Sequence, residues 1–236
     1  MGLPLIQHPV FSLTLPSTQQ KINFRPFLVK EEKILLIAQA SGDQGDIVRA
    51  IKQVITNCIT DEAVNVETFT TFDLEYFFIK LRAKSVQNII TLSYKDNDDQ
   101  KIYDIEVDLD EVEVVTDKVA SNKIETSPTS GIMLRYPQIS IMNSVESIND
   151  PVEFNFAIMQ ACIESIYDGD NLYKTSNFTR DEVREYLDSL DVKTYQSIQQ
   201  FIEAMPRVEH TIGYTNSNGK EVKIVLKTLT DFFTLG

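Results

Sequence analysis

Two stretches of strict apolar–polar alternation, each broken by an Asx-rich turn, constrain this chain more than any other feature. Ile90, Leu92 and Tyr94 alternate with polar residues, Asp96-Asn97-Asp98-Asp99-Gln100 turns the chain, and Tyr103, Ile105, Val107 and Leu109 alternate against Asp104, Glu106, Asp108 and Asp110. Near the C-terminus, residues 211–215, the turn Asn216-Ser217-Asn218-Gly219, and Val222, Ile224 and Leu226 follow the same plan. Period two sends one face of each strand to a core and the other to water, and Asp, Asn and Gly supply the turn conformations. Each stretch is therefore expected to be an antiparallel hairpin. A third hairpin opens the chain, with Phe11, Leu13 and Leu15, a turn at Pro16-Ser17-Thr18-Gln19-Gln20, then Ile22 and Phe24. Pro26 ends it, because proline cannot donate to a strand ladder.

Between the hairpins the period changes to 3.6. Residues 29–41 hold Ile34, Leu35, Leu36 and Ile37 and stop at Ser41-Gly42, a helix-ending pair. Ile47, Val48, Ile51, Val54, Ile55 and Cys58 form one helical stripe. A third helix is predicted over about 71–84, opened by Thr70-Thr71-Phe72-Asp73 and burying Leu74, Phe77, Phe78 and Leu81. After a strand at Ile132, Leu134 and Tyr136, the second half reads as mainly helical. Asp150-Pro151 starts a helix whose stripe is Phe156, Met159, Ile163 and Ile166, ended by Asp168-Gly169-Asp170-Asn171. Thr179-Arg180-Asp181-Glu182 has capping-box spacing, and a last helix carries Ile198, Phe201, Ile202 and Met205. The expected class is α+β: antiparallel hairpins combined with amphipathic helices, and a helical C-terminal half closed by a hairpin. The expected organisation is an N-terminal part over 1–116, a polar flexible linker over 117–131 and a C-terminal part over 132–236, or one continuous domain across all three.

The 236 residues are 42% hydrophobic, enough for a core, and carry a formal net charge of −13. That sign repels phosphate backbones and anionic bilayers, so neither nucleic acid nor membrane is an expected partner. No apolar run approaches the ~18 residues of a membrane span. Cys58 and Cys162 stand far apart on apolar helical stripes and read as buried free thiols.

Local chemistry is sparse. His8 and His210 lack a second ligand at zinc spacing, and both Asp-rich turns lack the alternating ligands, central glycine and distal glutamate of a calcium loop. No serine sits in a nucleophile elbow, and the eight glycines form no phosphate-cradling loop. Neither a cofactor nor a metal is expected. The alternative from another class is a hydrolase whose carboxylates converge only in the fold. Candidate partner-binding residues are Arg25, Pro26 and Phe27, the similar group Arg135, Tyr136 and Pro137, and the terminal pair Phe232 and Phe233, since arginine and aromatics favour interface hot spots.

Four segments carry a resemblance: Leu13-Thr14-Leu15-Pro16-Ser17 through Phe24-Arg25-Pro26-Phe27-Leu28-Val29-Lys30-Glu31-Glu32-Lys33; Phe72-Asp73-Leu74-Glu75-Tyr76 through Leu81-Arg82-Ala83-Lys84-Ser85; Leu134-Arg135-Tyr136-Pro137; and Tyr214 through Gly219-Lys220 to Leu229-Thr230-Asp231-Phe232-Phe233. In this order they resemble the baseplate hub and hub-assembly family of T-even-type contractile-tailed bacteriophages. The resemblance implies a non-enzymatic late protein made in the host bacterial cytoplasm. It further implies a role in the structure or assembly of the central hub, with other phage tail or hub proteins as partners and a place in the virion baseplate for members that are retained. Its alternative form is a transient assembly chaperone for the tape-measure protein.

Overall fold

The computed structural model describes residues 6–116, 120–145 and 147–233, with side chains at positions 44, 142–144, 230 and 233 outside the description. In chain order the elements are β1 (Phe11–Thr14), β2 (Lys21–Phe24), α1 (Val29–Ser41), α2 (Gln44–Cys58), α3 (Thr71–Ser85), β3 (Ile89–Lys95), β4 (Ile102–Asp108) and β5 (Glu113–Val115). There follow β6 (Lys123–Glu125), β7 (Ser130–Leu134), α4 (Ile139–Val145), α5 (Pro151–Cys162), β8 (Ile163–Asp168), β9 (Asn171–Lys174), α6 (Arg180–Asp188), α7 (Val192–Glu203), β10 (Arg207–Thr215), β11 (Glu221–Leu226) and α8 (Leu229–Phe233). All strand pairings are antiparallel and the class is α+β. No described helix is long and apolar enough to cross a membrane.

The chain forms two compact units. The first joins residues 1–66, 72–115 and 207–236; the second joins 67–71 and 116–206. The C-terminal hairpin, grouped by sequence with the helices before it, belongs to the first unit. The reason is β5, which pairs with β10 (Val208 opposite Val114) and draws the terminal strands to the N-terminal core. That core packs Ile79 of α3 against Leu92, Val107, Leu109, Val208 and Phe232. The three predicted helices stand where their periods place them. Gly42 ends α1 at φ 71°, a conformation that glycine adopts without a Cβ penalty. Asp43 caps α2 by accepting from Asp46 N at 2.9 Å, and Ile51, Val54, Ile55 and Cys58 are fully buried. Asp73, expected only as an acid for the helix dipole, is itself buried and accepts from the backbone and hydroxyl of Ser17, tying the β1–β2 turn to α3.

The second unit packs a sheet of order β6-β7-β8-β9 against α5, α6 and α7, with Ile132, Leu134, Met159, Val183, Leu187 and Phe201 in its core. Two expectations are corrected here. The helix from Pro151 stops at Cys162, and Ile163 to Asp168 is a strand. Ile163 and Ile166 are three apart, a spacing that also suits a helix, but β-branched residues beside Tyr167 fit a pleated surface. Asp168-Gly169-Asp170-Asn171 therefore closes a hairpin, with Gly169 at φ 56°, instead of capping a helix. The stretch 117–131, expected to be a flexible linker, contains β6 and the start of β7, where buried Ile124 lies opposite Ile132. Residues 117–119 lie outside the described residues.

Candidate interaction surfaces

The first candidate group turns inward. Arg25 leaves the end of β2 and donates to both oxygens of Glu31 (3.0 and 3.4 Å) and to the carbonyls of Pro26 and Asn57 (2.9 Å each). The Glu31 side chain is wholly buried and also accepts from Leu28 N at 2.9 Å. Burial alone would push the Glu31 carboxyl up; hydrogen bonds from Arg25 and the Leu28 amide reverse this and hold it below the usual carboxylate range. Phe27 is 8% exposed, with its amide bonded to the Ser85 hydroxyl. Arg25 and Phe27 are thus internal supports of the first unit, where the strand end they occupy is tied to α1 and α2.

Of the terminal pair, Phe232 is described. Phe232 is 2% exposed within the core of the first unit, and its carbonyl accepts from Arg82. The leucine-rich and tyrosine-rich hairpin faces supply a pocket that a terminal α8 can fill. The Phe233 side chain lies outside the described part of the structure.

In the second unit Tyr136 stacks on Phe201, with centroids 4.8 Å apart and planes 8° from parallel, and Pro137 is buried. Arg135 donates its backbone N–H to Cys162 O at 2.8 Å. Its side chain lines a small cavity of about 170 Å³ with Val145, Ala157 and Val183, and its buried Nε has no hydrogen-bond partner among the described residues. Stacking makes Tyr136 a packing residue, whereas Arg135 faces a concavity.

The Asp-rich turn of β3–β4 is a junction. Asp96, 3% exposed, accepts from Tyr214 Oη at 2.6 Å and from Asn216 Nδ2 at 3.3 Å. Asp99 accepts from Tyr103 Oη at 2.5 Å and from Ser217 N and Oγ at 3.0 and 2.7 Å, and Lys220 pairs with Asp98 at 2.6 Å. Tyr103 stacks on Tyr214 at 4.5 Å. The Tyr214 hydroxyl donation holds the Asp96 carboxyl low, and the Tyr103 hydroxyl does the same for Asp99. The β3–β4 and β10–β11 hairpins are therefore joined turn to turn. Among the described residues no group of three His, Cys, Asp or Glu side chains comes together to hold a metal.

Three further groups bear on chemistry. Burial pushes the Cys58 thiol up to about 11 and the Cys162 thiol up to about 12, so neither is a reactive thiolate at neutral pH. Glu75 on α3 forms no hydrogen bond or ion pair among the described residues, and burial pushes its carboxyl from 4.5 up to about 7. An acid whose native value is raised binds more protons folded than unfolded, so stability falls as pH rises from about 4.5 through about 7. Glu75→Gln is expected to gain on the order of 2–3 kcal/mol over the parent chain near pH 8 and almost nothing near pH 4, read by urea unfolding at both. Equal stability of the two proteins near pH 8 would show that Glu75 is solvated.

A groove of about 590 Å³ in the second unit escaped sequence reading altogether. Ile166 and Val183 form its floor, Tyr173, Phe178 and Tyr186 bring aromatic rings, and Asp168 and Glu182 bring carboxylates. Tyr173 and Phe178 are 42% and 43% exposed, with ring centroids 6.4 Å apart. Glu182 completes the predicted capping box, accepting from Thr179 N at 2.7 Å and Oγ1 at 2.8 Å, which holds its carboxyl low. The only legible signal was that capping box; the rings come from a strand, a loop and a helix with no shared period.

These polar clusters knit elements together within an α+β fold. The chain belongs to the family of T4 bacteriophage base plate proteins, whose family model matches residues 8–234. No curated protein matches it, and neither does any solved structure. It is thus a phage baseplate protein, and its partners are other phage tail proteins.

Proposed function

We propose that the chain acts without catalysis in the structure or assembly of the baseplate's central hub. The observation that carries this reading is the family match across 8–234, which contains all four segments resembling the hub and hub-assembly proteins in their order. The geometry adds support. The acids of the Asp-rich turn are satisfied by the opposite hairpin, and Glu182 by its own helix cap, so these carboxylates have structural work and are not poised as a hydrolytic pair. Synthesis and action in the host cytoplasm is the matching course of events, with a place in the tail if the chain is a hub subunit.

Mass spectrometry of isolated hub intermediates and of purified particles tests this. The expected result is co-purification with hub intermediates. Presence in the finished particle as well assigns a hub subunit; its absence there assigns an assembly factor, of which a chaperone for the tape-measure protein is one form. Recovery only with outer baseplate parts would contradict the reading.

A further inference from the structure

The groove beside β9 has a composition that selects for one kind of occupant. Strand alternation places Ile166, Asp168 and Tyr173 on the sheet face toward α6, and Tyr167 and Lys174 on the other. None of the described lining residues is Lys, Arg or His. Asp168 accepts from the Ser130 hydroxyl at 2.5 Å and Glu182 from Thr179, all neutral donors, and neither carboxylate forms an ion pair among the described residues. Two carboxylates that form no ion pair among the described residues thus line the same groove as the exposed rings of Tyr173 and Phe178. Lys123 lies 5.0 Å over the Tyr167 ring, Arg184 pairs with Glu153 at 2.6 Å while lying 5.9 Å from the Phe156 centroid, and Arg135 and Arg180 line the adjoining cavity.

We propose that this groove docks a peptide segment of another tail protein in which arginine is flanked by apolar residues. The guanidinium is planar, stacks on aromatic faces and bonds carboxylates through two parallel N–H groups, so it suits rings and acids presented together. The apolar neighbours suit Ile166 and Val183. β9 is the last strand in its sheet, so an extended segment has backbone groups to meet there. Nucleic acid fails on charge sign. The proposal rests on the baseplate role for the source of the peptide, not for the binding.

The test uses the full chain and three fluorescein-labelled probes read by anisotropy: Leu-Arg-Leu-Arg-Leu and its counterparts with Gln or Glu in place of Arg. The arginine probe is expected to bind at least about tenfold more tightly than the glutamine probe, and the glutamate probe least, with affinity falling as salt rises. Phe178→Ala and Asp168→Asn should each weaken the arginine probe by roughly fivefold or more. Glu182→Gln retains the cap and so reports charge alone, whatever the other two do to folding. Equal affinity for the three probes, unchanged affinity in Glu182→Gln, or no saturable binding by about 1 mM would overturn the proposal. So would self-association, seen by sedimentation, that Phe178→Ala abolishes, since the occupant would then be a second copy. Failure here leaves the hub role standing, because that role is read from hub intermediates.

Discussion

Arg25→Ala is expected to destabilise the first unit by about 3 kcal/mol, the cost of leaving the buried Glu31 carboxylate only the exposed Lys30 ammonium, 3.5 Å away, as its ionic partner. Glu31 has no exposed side-chain surface, and Arg25 supplies two of its hydrogen bonds. Arg25 also holds the Asn57 carbonyl at the end of α2, so its loss loosens the junction of β2, α1 and α2. The same principle gives a control: Arg25→Met with Glu31→Leu should recover most of the loss, because apolar residues of similar volume often replace a buried pair at little cost. Urea unfolding of the two variants decides. A loss under about 1 kcal/mol for Arg25→Ala would mean that the pair is solvated like a surface bridge.

Gly131→Ala is expected to destabilise the second unit by about 3 kcal/mol through overpacking. Gly131 lies in the middle of β7 between Glu125 of β6 and Tyr167 of β8. A Cβ there would overlap both the Tyr167 hydroxyl and the Ile124 carbonyl. A side chain can swing away, but a backbone carbonyl within a ladder moves only with its strand. Tyr167→Ala should therefore fail to rescue Gly131→Ala fully. Hydrogen exchange is expected to show lost protection across β6, β7 and β8. Native-like protection there would contradict the strand pairing.

The parts of the fold legible in sequence are those with a local cause. Strict alternation around an Asx turn reveals β3–β4 and β10–β11, and a clean stripe with Asp43 ahead of it reveals α2. What the sequence conceals is non-local. β6 is three residues long, too short for a period, and acquires its identity from Ile132 across the ladder. The α5–β8 boundary falls inside a run of residues that suits either state. Burial of Phe27 and Phe232 depends on elements far along the chain, so two exposed-looking aromatics near proline or a terminus proved to be core. The Asp96 junction and the aromatic groove likewise exist only once distant turns and strands meet.

The proposed hub role requires that the central hub not form without this chain. Infection with a phage carrying a nonsense mutation in the gene, followed by electron microscopy and fractionation of baseplate intermediates, measures this. Outer baseplate parts are expected to accumulate without a central hub, rescued by the intact chain supplied in trans. Complete, hub-containing baseplates formed without the chain would contradict it.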